Sequence, residues 1–395
     1  MNTKLNTGLV ERVRERLAGS GQAVTAATVA QAVRAEAGGV VGDTEVLTAL
    51  RLLQQEFVGA GPLEPLLRDP ATTDVLVTAP DAVWVDRGGG LRRADVRFPD
   101  EDAVRRLAQR LALAAGRRLD DAQPYVDAWL PGVGGAAEGS VRLHAVLPPI
   151  AADGTCLSLR VLRPATHDLD ALCRLGAFDE DMAQVLRAMV RARLAFLVTG
   201  GTGSGKTTLL AALLGCVPGR ERVVCVEDAG ELRPDHPHVV RLVARLPNVE
   251  GSGEVTLRDL VRQALRMRPD RLVVGEVRGA EVCELLAALN TGHDGGAGTL
   301  HANSPAEVPA RLEALAALGG LPRDALHSQL AAAVQVVLHM RRCPDGQRVL
   351  AEVGAFDRDG DRVQVTRAWR RGAGWGEGRD RLARLLAERG EELPW

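Results

Sequence analysis

Aromatic residues and lysine are scarce in this chain of 395 residues. Phe, Trp and Tyr together make up 3% of the sequence, and the only lysines are Lys4 and Lys206. Arginine therefore supplies almost all of the positive side-chain charge, and the net charge is −2 at pH 7. A protein that holds nucleic acid by bulk charge and base stacking needs a basic surface and exposed aromatic rings. The composition argues against that class.

Long apolar runs and paired cysteines are also missing. No apolar run reaches the ~20 residues that a membrane-spanning helix needs. The N-terminus carries Glu11 and Glu15 without a hydrophobic segment, so we expect no secretory signal. The six cysteines are scattered without a C-x-x-C pair, which favours free thiols and argues against a zinc site. We expect a cytoplasmic protein.

Hydrophobic periodicity and breaks at glycine and proline divide the chain into five segments. They are an N-terminal helical region (1–58), a middle α/β domain (59–163), a hinge or linker (164–180), an α/β domain (181–345), and a C-terminal hairpin with a helical tail (346–395). Strands and helices alternate in the fourth segment, which is typical of a parallel α/β sheet.

Lys206 lies in a glycine-rich segment that fits the phosphate-loop pattern G-x-x-x-x-G-K-[ST]. A buried strand is predicted before this segment and a helix after it. Glycines allow successive backbone N–H groups to surround phosphates, and a helix N-terminus attracts anions. We expect Lys206 to reach the β- and γ-phosphates and Thr207 to bind Mg²⁺. The residues predicted to bind the nucleotide here are Gly200, Gly201, Thr202, Gly203, Ser204, Gly205, Lys206, Thr207 and Thr208.

Acidic residues end two further predicted strands. The first strand leads into Glu227, Asp228 and Glu231, which together are able to order Mg²⁺ through water and to polarise the attacking water. The second is an apolar strand that ends in Glu276, which is the form of a Walker B segment. Many phosphate-loop proteins have Asp at this point, so we expect Glu276 to contact Mg²⁺ through water.

Two histidines follow in a polar segment that is rich in glycine and hydroxyl groups. His293 lies within 290–296, and His301 follows Thr299 and Leu300. Together they indicate a γ-phosphate sensor, with His293 able to donate a hydrogen bond to phosphate or to the carboxylates. The four segments predict an enzyme that binds and hydrolyses a nucleoside triphosphate.

These segments, in this order, resemble the secretion ATPase superfamily, whose members power type II secretion, type IV pili and type IV secretion. The resemblance covers roughly residues 55 to 345 and is strongest to the CpaF/TadA group of tight-adherence (Flp) pilus ATPases, because segments 59–67, 116–120 and 124–131 also echo that group. It implies a PAS-like α/β middle domain and a C-terminal RecA-like P-loop NTPase domain.

The resemblance also implies residue roles. These are Glu231 as the general base, Glu227 and Asp228 as its support, Glu276 as the Walker B acid, and His293 and His301 as the histidine box. Arginines of the middle domain are expected to neutralise charge on the γ-phosphate during hydrolysis. Arg142 and Arg160 are the candidates, with Arg118 as a third, and a surface role stays open for each.

The implied function is that of a homohexameric motor with ATP and Mg²⁺ as cofactors. It would work at the cytoplasmic face of the inner membrane on a platform protein of a pilus or secretion system, without direct contact to nucleic acid. Two alternatives stay open, namely a nucleic-acid translocase and a nucleotide-gated regulatory subunit. The near-neutral charge argues against the first, and the acids Glu231 and Glu276 argue against the second.

Overall fold

The computed structural model describes residues 12, 13, 16, 26–37, 59–131, 133, 140–162, 167–248 and 250–393. The chain forms two units, Met1–Arg163 and Pro164–Trp395, and each is described by itself. Helix α1 (Ala26–Ala37) lies in the predicted N-terminal helical region. The rest of that region up to residue 58, apart from residues 12, 13 and 16, and the first residues of the predicted hinge lie outside the described residues. Across the described ranges, no helix has the length and apolarity to cross a membrane.

A six-stranded antiparallel sheet forms the centre of the first unit. Its strands are β1 (Asp74–Ala79), β2 (Ala82–Asp86), β3 (Leu91–Arg93), β4 (Tyr125–Pro131), β5 (Ser140–Val146) and β6 (Cys156–Leu162). They pair in the order β3-β2-β1-β6-β5-β4. A 3₁₀ turn (Gly61–Leu63) and helices α2 (Glu64–Arg68) and α3 (Glu101–Ala114) accompany the sheet.

Alternation of apolar and polar residues places one face of this sheet in a core. Val75 and Val77 are buried on that face, together with their neighbours on the adjoining strands. Helix α3 begins after Asp100, whose side chain accepts a hydrogen bond from a backbone N–H in the first turn, and its apolar stripe packs on the same core. The other face carries polar side chains, among them Arg142 and Arg160.

The second unit contains a nine-stranded sheet. Its strands are β7 (Phe196–Thr199), β8 (Val223–Glu227), β9 (Val239–Val243), β10 (Arg271–Val277), β11 (Ala297–Leu300), β12 (Val336–Arg342), β13 (Arg348–Asp359), β14 (Arg362–Arg370) and β15 (Gly374–Trp375). Its helices are α4 (Leu169–Arg174), α5 (Glu180–Arg191), α6 (Lys206–Gly215), α7 (Leu257–Leu265), α8 (Glu281–Leu289), α9 (Val308–Leu318), α10 (Arg323–Ala333) and α11 (Arg379–Ala387), with a 3₁₀ turn at Pro305–Glu307.

The strand order is β15-β14-β13-β12-β7-β11-β10-β8-β9. The six strands from β12 to β9 run parallel, and β13 to β15 extend the sheet antiparallel. Strands β7 and β8 are buried along their whole length, as expected for parallel strands covered on both faces. Phe196 and Val198 enter a core with α5 and α6, whereas Leu197 enters a core with α7 to α10.

The parallel register brings the carboxyl ends of four neighbouring strands to one edge of the sheet. Thr199 at the end of β7 pairs with Leu300 at the end of β11. Strand β10 pairs with β11 on one side and with β8, which ends at Glu227, on the other. The phosphate loop, the acidic segment, Glu276 and His301 therefore all lie at or just beyond this edge, where open α/β sheets bind their ligands.

The predicted α/β fold class is confirmed. The predicted C-terminal hairpin corresponds to β13 and β14, which join the same sheet as β7 because β13 pairs with β12. The segment boundary predicted after residue 345 thus falls in the turn between two paired strands. Helix α4 lies inside the predicted linker 164–180.

A buried ion pair connects the amino ends of β8 and β10. Arg271 is 1% exposed, its Nε donates to Glu221 Oε2 at 2.7 Å, and its Nη2 donates to the carbonyl of Val190 at 2.9 Å. Burial lowers the pKa of Arg271, and the hydrogen bond that Arg271 donates to Glu221 opposes this effect. Each buried charge of this pair is therefore stabilised by the other, and removing one partner leaves the other charge uncompensated.

We expect Arg271→Met to lower the free energy of unfolding by about 3 kcal/mol, because Glu221 then keeps a buried charge without its main partner. Urea denaturation measures this change. The control is Arg370→Met, which removes the pair of an exposed arginine with the half-buried Glu352 and should cost at most about 1 kcal/mol. Equal losses of unfolding free energy in the two variants would contradict the expectation that the buried Arg271–Glu221 pair matters more to stability than the Arg370–Glu352 pair.

Candidate active site

Residues 200–205 connect β7 to α6 in a loop in which three of the four glycines have positive φ angles. The φ angles of Gly200, Gly203 and Gly205 are +142°, +70° and +94°. A Cβ atom on Gly200 would lie 2.2 Å from the carbonyl oxygen of Met340, so only glycine fits there. Helix α6 begins directly after the loop, and its first N–H groups are available to an anion. The loop is built as a phosphate cradle.

Lys206, the first residue of α6, is folded over its own loop. Its Nζ donates to the carbonyls of Gly200 and Gly201 at 3.1 and 3.0 Å, and the residue is 8% exposed. Burial lowers the pKa of Lys206, while the charges of Glu276 and Glu231 oppose this shift. Both carboxylates therefore lie close enough to act on the ammonium group. A phosphate oxygen in the cradle would compete with the two carbonyls for Nζ.

His301 lies between Lys206 and Glu276. Its Nε2 is 2.8 Å from Glu276 Oε1 and 3.5 Å from Lys206 Nζ. Burial, followed by the charge of Lys206, lowers the pKa of His301, which favours the neutral ring, while the charge of Glu276 opposes this shift. The short contact to a carboxylate requires a proton on Nε2, and this nitrogen then cannot accept from Lys206. His301 therefore donates to Glu276 and holds that carboxylate near the phosphate loop.

Arg278 joins the two acidic segments. Its Nη2 lies 2.5 Å from Asp228 Oδ2 and 3.0 Å from Glu276 Oε2. Glu276 is thus held on one oxygen by His301 and on the other by Arg278. The contact explains why two acids from different strands can lie at the same edge without mutual repulsion. No sequence pattern had indicated a role for Arg278.

Glu227 is a buried carboxylate that shapes the acidic loop from inside. It is 3% exposed, and its Oε1 accepts hydrogen bonds from the backbone N–H groups of Glu231 and Leu232 at 3.1 and 2.9 Å. Its Oε2 is buried without a hydrogen-bond partner among the described residues. A Cβ on Gly275 would lie 2.7 Å from Glu227 Cγ, so the glycine next to Glu276 leaves room for this side chain. Burial raises the pKa of Glu227 to about 7, although the two backbone bonds oppose the shift.

The remaining residues of the phosphate loop have local roles. Ser204 is buried, and its hydroxyl donates to the carbonyl of Gly201 at 2.9 Å. Thr202 is exposed, and Thr207 and Thr208 are half-buried in the first turn of α6. In the ranges that the structure covers, no three His, Cys, Asp or Glu side chains form a metal-binding group. The few oxygen donors beside the loop, those of Thr207 and Glu276, fit Mg²⁺, because this ion keeps several waters and binds through one or two protein oxygens together with phosphate.

His293 lies away from this cluster. Its Nδ1 is 3.2 Å from the carbonyl of Ala288 at the end of α8, and it precedes β11. Since β11 and β7 are parallel, His293 lies at the amino edge of the sheet, and the phosphate loop lies at the carboxyl edge. The structure does not bring His293 to the loop, as the sensor prediction required. Of the two predicted histidines, only His301 contacts Lys206 and Glu276.

Arg142 and Arg160 lie opposite each other on β5 and β6 of the first unit. Arg142 donates to both carboxylate oxygens of Asp127, at 3.0 and 2.5 Å, and its guanidinium carbon lies 5.7 Å from the centre of the Trp129 ring. Arg160 Nε donates to Asp74 at 2.9 Å. The two arginines share one sheet face, and each is held by a carboxylate.

Arg348 contacts the phosphate loop but was not found by sequence analysis. It is the first residue of β13, and its Nε donates to the carbonyl of Gly203 at 2.9 Å. Its Cδ would lie 3.2 Å from a Cβ on Gly205, so the side chain covers the loop at a glycine. Arginine is abundant in this chain, and the contact depends on the pairing of β12 with β13. No local pattern was able to reveal it.

Comparisons with known proteins give consistent results. A family model described as Type II/IV secretion system protein matches residues 56–386. A putative conjugal transfer protein of Mycobacterium tuberculosis strain H37Rv is 67% identical over 350 residues, which cover 89% of this chain and 99% of that protein. The type IV secretion system protein PtlH of Bordetella pertussis is 34% identical over 269 residues, covering 61% of this chain and 76% of PtlH.

A similar solved structure is that of the pilus retraction motor PilT with bound ADP. It has a TM-score of 0.52 and 20% identity, and the match covers 83% of this chain and 89% of PilT. At this identity the likeness concerns the fold alone. The expected mixed α/β chain with a RecA-like P-loop domain is confirmed.

We expect Arg348→Gln to weaken ATP binding about tenfold, because the loop loses a hydrogen bond from a charged donor. Isothermal titration calorimetry measures the affinity. The matched control is Arg358→Gln on the same strand, where an arginine Nε also donates to a glycine carbonyl, that of Gly360 at 3.0 Å. Arg358 lies at the far end of β13, so its substitution should leave affinity unchanged. The assignment fails if both variants bind ATP equally well.

The raised pKa of Glu227 predicts a pH-dependent stability. An unfolded Glu titrates near pH ~4.3, so between that pH and about 7 the folded protein binds more protons than the unfolded chain. Stability must fall as pH rises through this window. Glu227→Gln removes this titration. The free energy of unfolding of the variant, relative to that of wild type, should therefore be about 2 kcal/mol higher at pH 8 than at pH 5. Urea unfolding at both pH values tests this, with the exposed Glu254→Gln as control. A difference that does not change with pH would refute it.

Proposed function

The chain belongs to the Type II/IV secretion system protein family, and on that premise we propose that it is a Mg²⁺-dependent ATPase that drives pilus assembly or protein secretion. The cluster of contacts beside the phosphate loop carries this proposal. Lys206, His301, Glu276, Arg278 and Asp228 form a continuous chain of contacts at the carboxyl edge of the sheet. A phosphate-binding protein without hydrolysis has no need for two restrained acids there.

Each residue of the site has a separate role in the proposed phosphoryl transfer. The glycine loop and Lys206 bind and orient the β- and γ-phosphates. Thr207 and, through water, Glu276 would hold Mg²⁺, which would neutralise phosphate charge. Glu231 accepts the proton of the attacking water, since it lies close enough to act on the charge of Lys206 and its backbone N–H is held by Glu227. His301 keeps Glu276 in place.

We also propose a role for two arginines of the middle domain. Arg142 and Arg160 present two guanidinium groups on one face of their sheet, each engaged with a carboxylate. We assign them to γ-phosphate neutralisation, which requires each to exchange its carboxylate for phosphate oxygens. In a phosphoryl transfer reaction such cations stabilise the transition state strongly.

We further propose that the motor is a homohexamer at the cytoplasmic face of the inner membrane, acting on a platform protein of its system. The tight-adherence (Flp) pilus group is the branch that its sequence motifs resemble most. The name of the M. tuberculosis relative favours a second candidate, a motor of a conjugal transfer apparatus. DNA-stimulated turnover with a steep salt dependence would support a nucleic-acid role in either case.

The test is ATP hydrolysis by the full chain in its oligomeric fraction. Glu231→Gln should lower kcat about 100-fold or more, because the general base is lost, while ATP affinity stays near that of wild type. Lys206→Arg should abolish nucleotide binding, because a planar guanidinium fits the loop poorly despite its equal charge. The control Glu254→Gln replaces an exposed glutamate and should turn over normally. The proposal is wrong if wild type hydrolyses no ATP or if Glu231→Gln keeps full turnover.

A further inference from the structure

A second polar pocket lies at the amino edge of the nine-stranded sheet, opposite the phosphate loop. Its volume is about 560 Å³, within the range of small-molecule sites. The lining residues come from the segments that precede β7, β8 and β10. In the parallel part of the sheet β8 and β10 are neighbours, and β11 lies between β10 and β7. They are Arg191, Arg193, Pro218, Arg220, Glu221, Arg268 and Asp270.

The carboxylates of this pocket are already engaged. Glu221 Oε2 lies 2.7 Å from Nε of the buried Arg271 and 3.1 Å from Nη1 of Arg193. Asp270 Oδ2 accepts the backbone N–H of Arg222 at 2.7 Å. Glu221 therefore has little capacity to neutralise a further cation, and Asp270, whose hydrogen bond with a neutral N–H leaves its charge in place, can balance only one of the four lining arginines.

The pocket consequently keeps unbalanced positive charge. Arg191 forms a two-bond ion pair with Glu391, which is not a lining residue. Arg220 and Arg268 are exposed, and neither forms an ion pair with any part of the chain that the structure describes. Two guanidinium groups thus face the pocket with all of their N–H donors open to solvent or to a ligand.

The backbone supplies an independent observation. Within the described ranges, Arg193 and Arg268 are the only non-glycine residues with positive φ, at +54° and +53°. Each follows the end of a helix, where glycine is the usual residue in this conformation. The chain uses glycine freely elsewhere, yet it places arginine at these two strained positions, and both line the same pocket. Such outliers often mark functional sites.

The negative ends of α5 and α7 account for only part of this arrangement. A helix C-terminus favours a nearby cation, so an arginine at each end is unsurprising. A basic residue in the last helical turn interacts with the dipole without a left-handed backbone conformation. The dipole therefore does not explain why arginine occupies these two left-handed positions. It also does not explain Arg220, which lies beyond the last turn of α6.

We propose that this pocket binds a phosphate-bearing ligand with two or more negative charges, such as a pyrophosphate group. Planar guanidinium groups bind phosphate oxygens through paired hydrogen bonds, which makes arginine suited to this task. The same chemistry recognises a soluble phosphorylated compound and a phospholipid headgroup. The pocket lies at the sheet edge opposite the ATP site, and the proposal does not depend on ATP hydrolysis.

Pyrophosphate is the first probe, titrated calorimetrically into the full-length Lys206→Ala protein, in which binding at the phosphate loop is weakened. Adding Arg220→Ser and Arg268→Gly should reduce the remaining affinity at least tenfold. Glycine suits the left-handed backbone at residue 268, so this variant should be at least as stable as its parent in urea, which separates lost binding from lost folding. The matched control is Arg266→Ser, an exposed arginine at the end of α7 outside the pocket.

Vesicles distinguish the two sources of phosphate. Retention on phosphatidic acid vesicles, but not on phosphatidylcholine vesicles, that requires Arg220 and Arg268 would assign a lipid headgroup. Pyrophosphate binding without such retention would assign a soluble ligand. The proposal is overturned if neither probe binds, or if the double substitution affects them no more than Arg266→Ser does.

Discussion

The parallel pairing of β7, β11, β10 and β8 is the constraint on which the site depends. The contacts that join Lys206 to His301, His301 to Glu276 and Arg278 to Asp228 link residues that are far apart in sequence and lie on or just after different elements. They meet because parallel strands in register end at the same edge, and because the buried strands leave the polar groups no other place to lie. The chemistry of the edge is therefore set by strand order, and a register shift of one residue would turn Glu276 away from its partners.

A second level of order is electrostatic. Glu276 is held between a histidine and an arginine, and Lys206 is held by carbonyls of its own loop. Glu227 differs from these residues, because it is buried and one of its carboxylate oxygens has no hydrogen-bond partner among the described residues. Its other oxygen accepts hydrogen bonds from two backbone N–H groups and so orders the acidic loop. The site thus combines restrained charges that face the phosphate cradle with one costly buried carboxylate that shapes the loop behind them.

Much of the candidate site could be predicted from the sequence. The phosphate loop, Glu276 and His301 were identified because each follows a recognisable strand or matches a pattern with a physical cause. Arg278 and Arg348 were missed because their contacts depend on which strands are neighbours, and that order is not written in local spacing. His293 is the converse case. It is close to His301 in sequence, but strand β11 lies between them, so the two histidines lie at opposite edges of the sheet. Glu227 was expected beside the nucleotide, whereas its carboxylate binds the backbone of its own loop.

The closeness of Gly200 to the carbonyl of Met340 has a consequence for how this protein can be divided. The phosphate loop rests on β12, and Arg348 reaches it from β13, so its support comes from chain that follows the last nucleotide motif by more than thirty residues. The catalytic unit is therefore not modular at its C-terminal side. A chimera joined between His301 and Met340 would inherit every signature residue and still lack the wall behind the cradle. Evolutionary exchange of these segments would be restricted to partners that carry a matching hairpin.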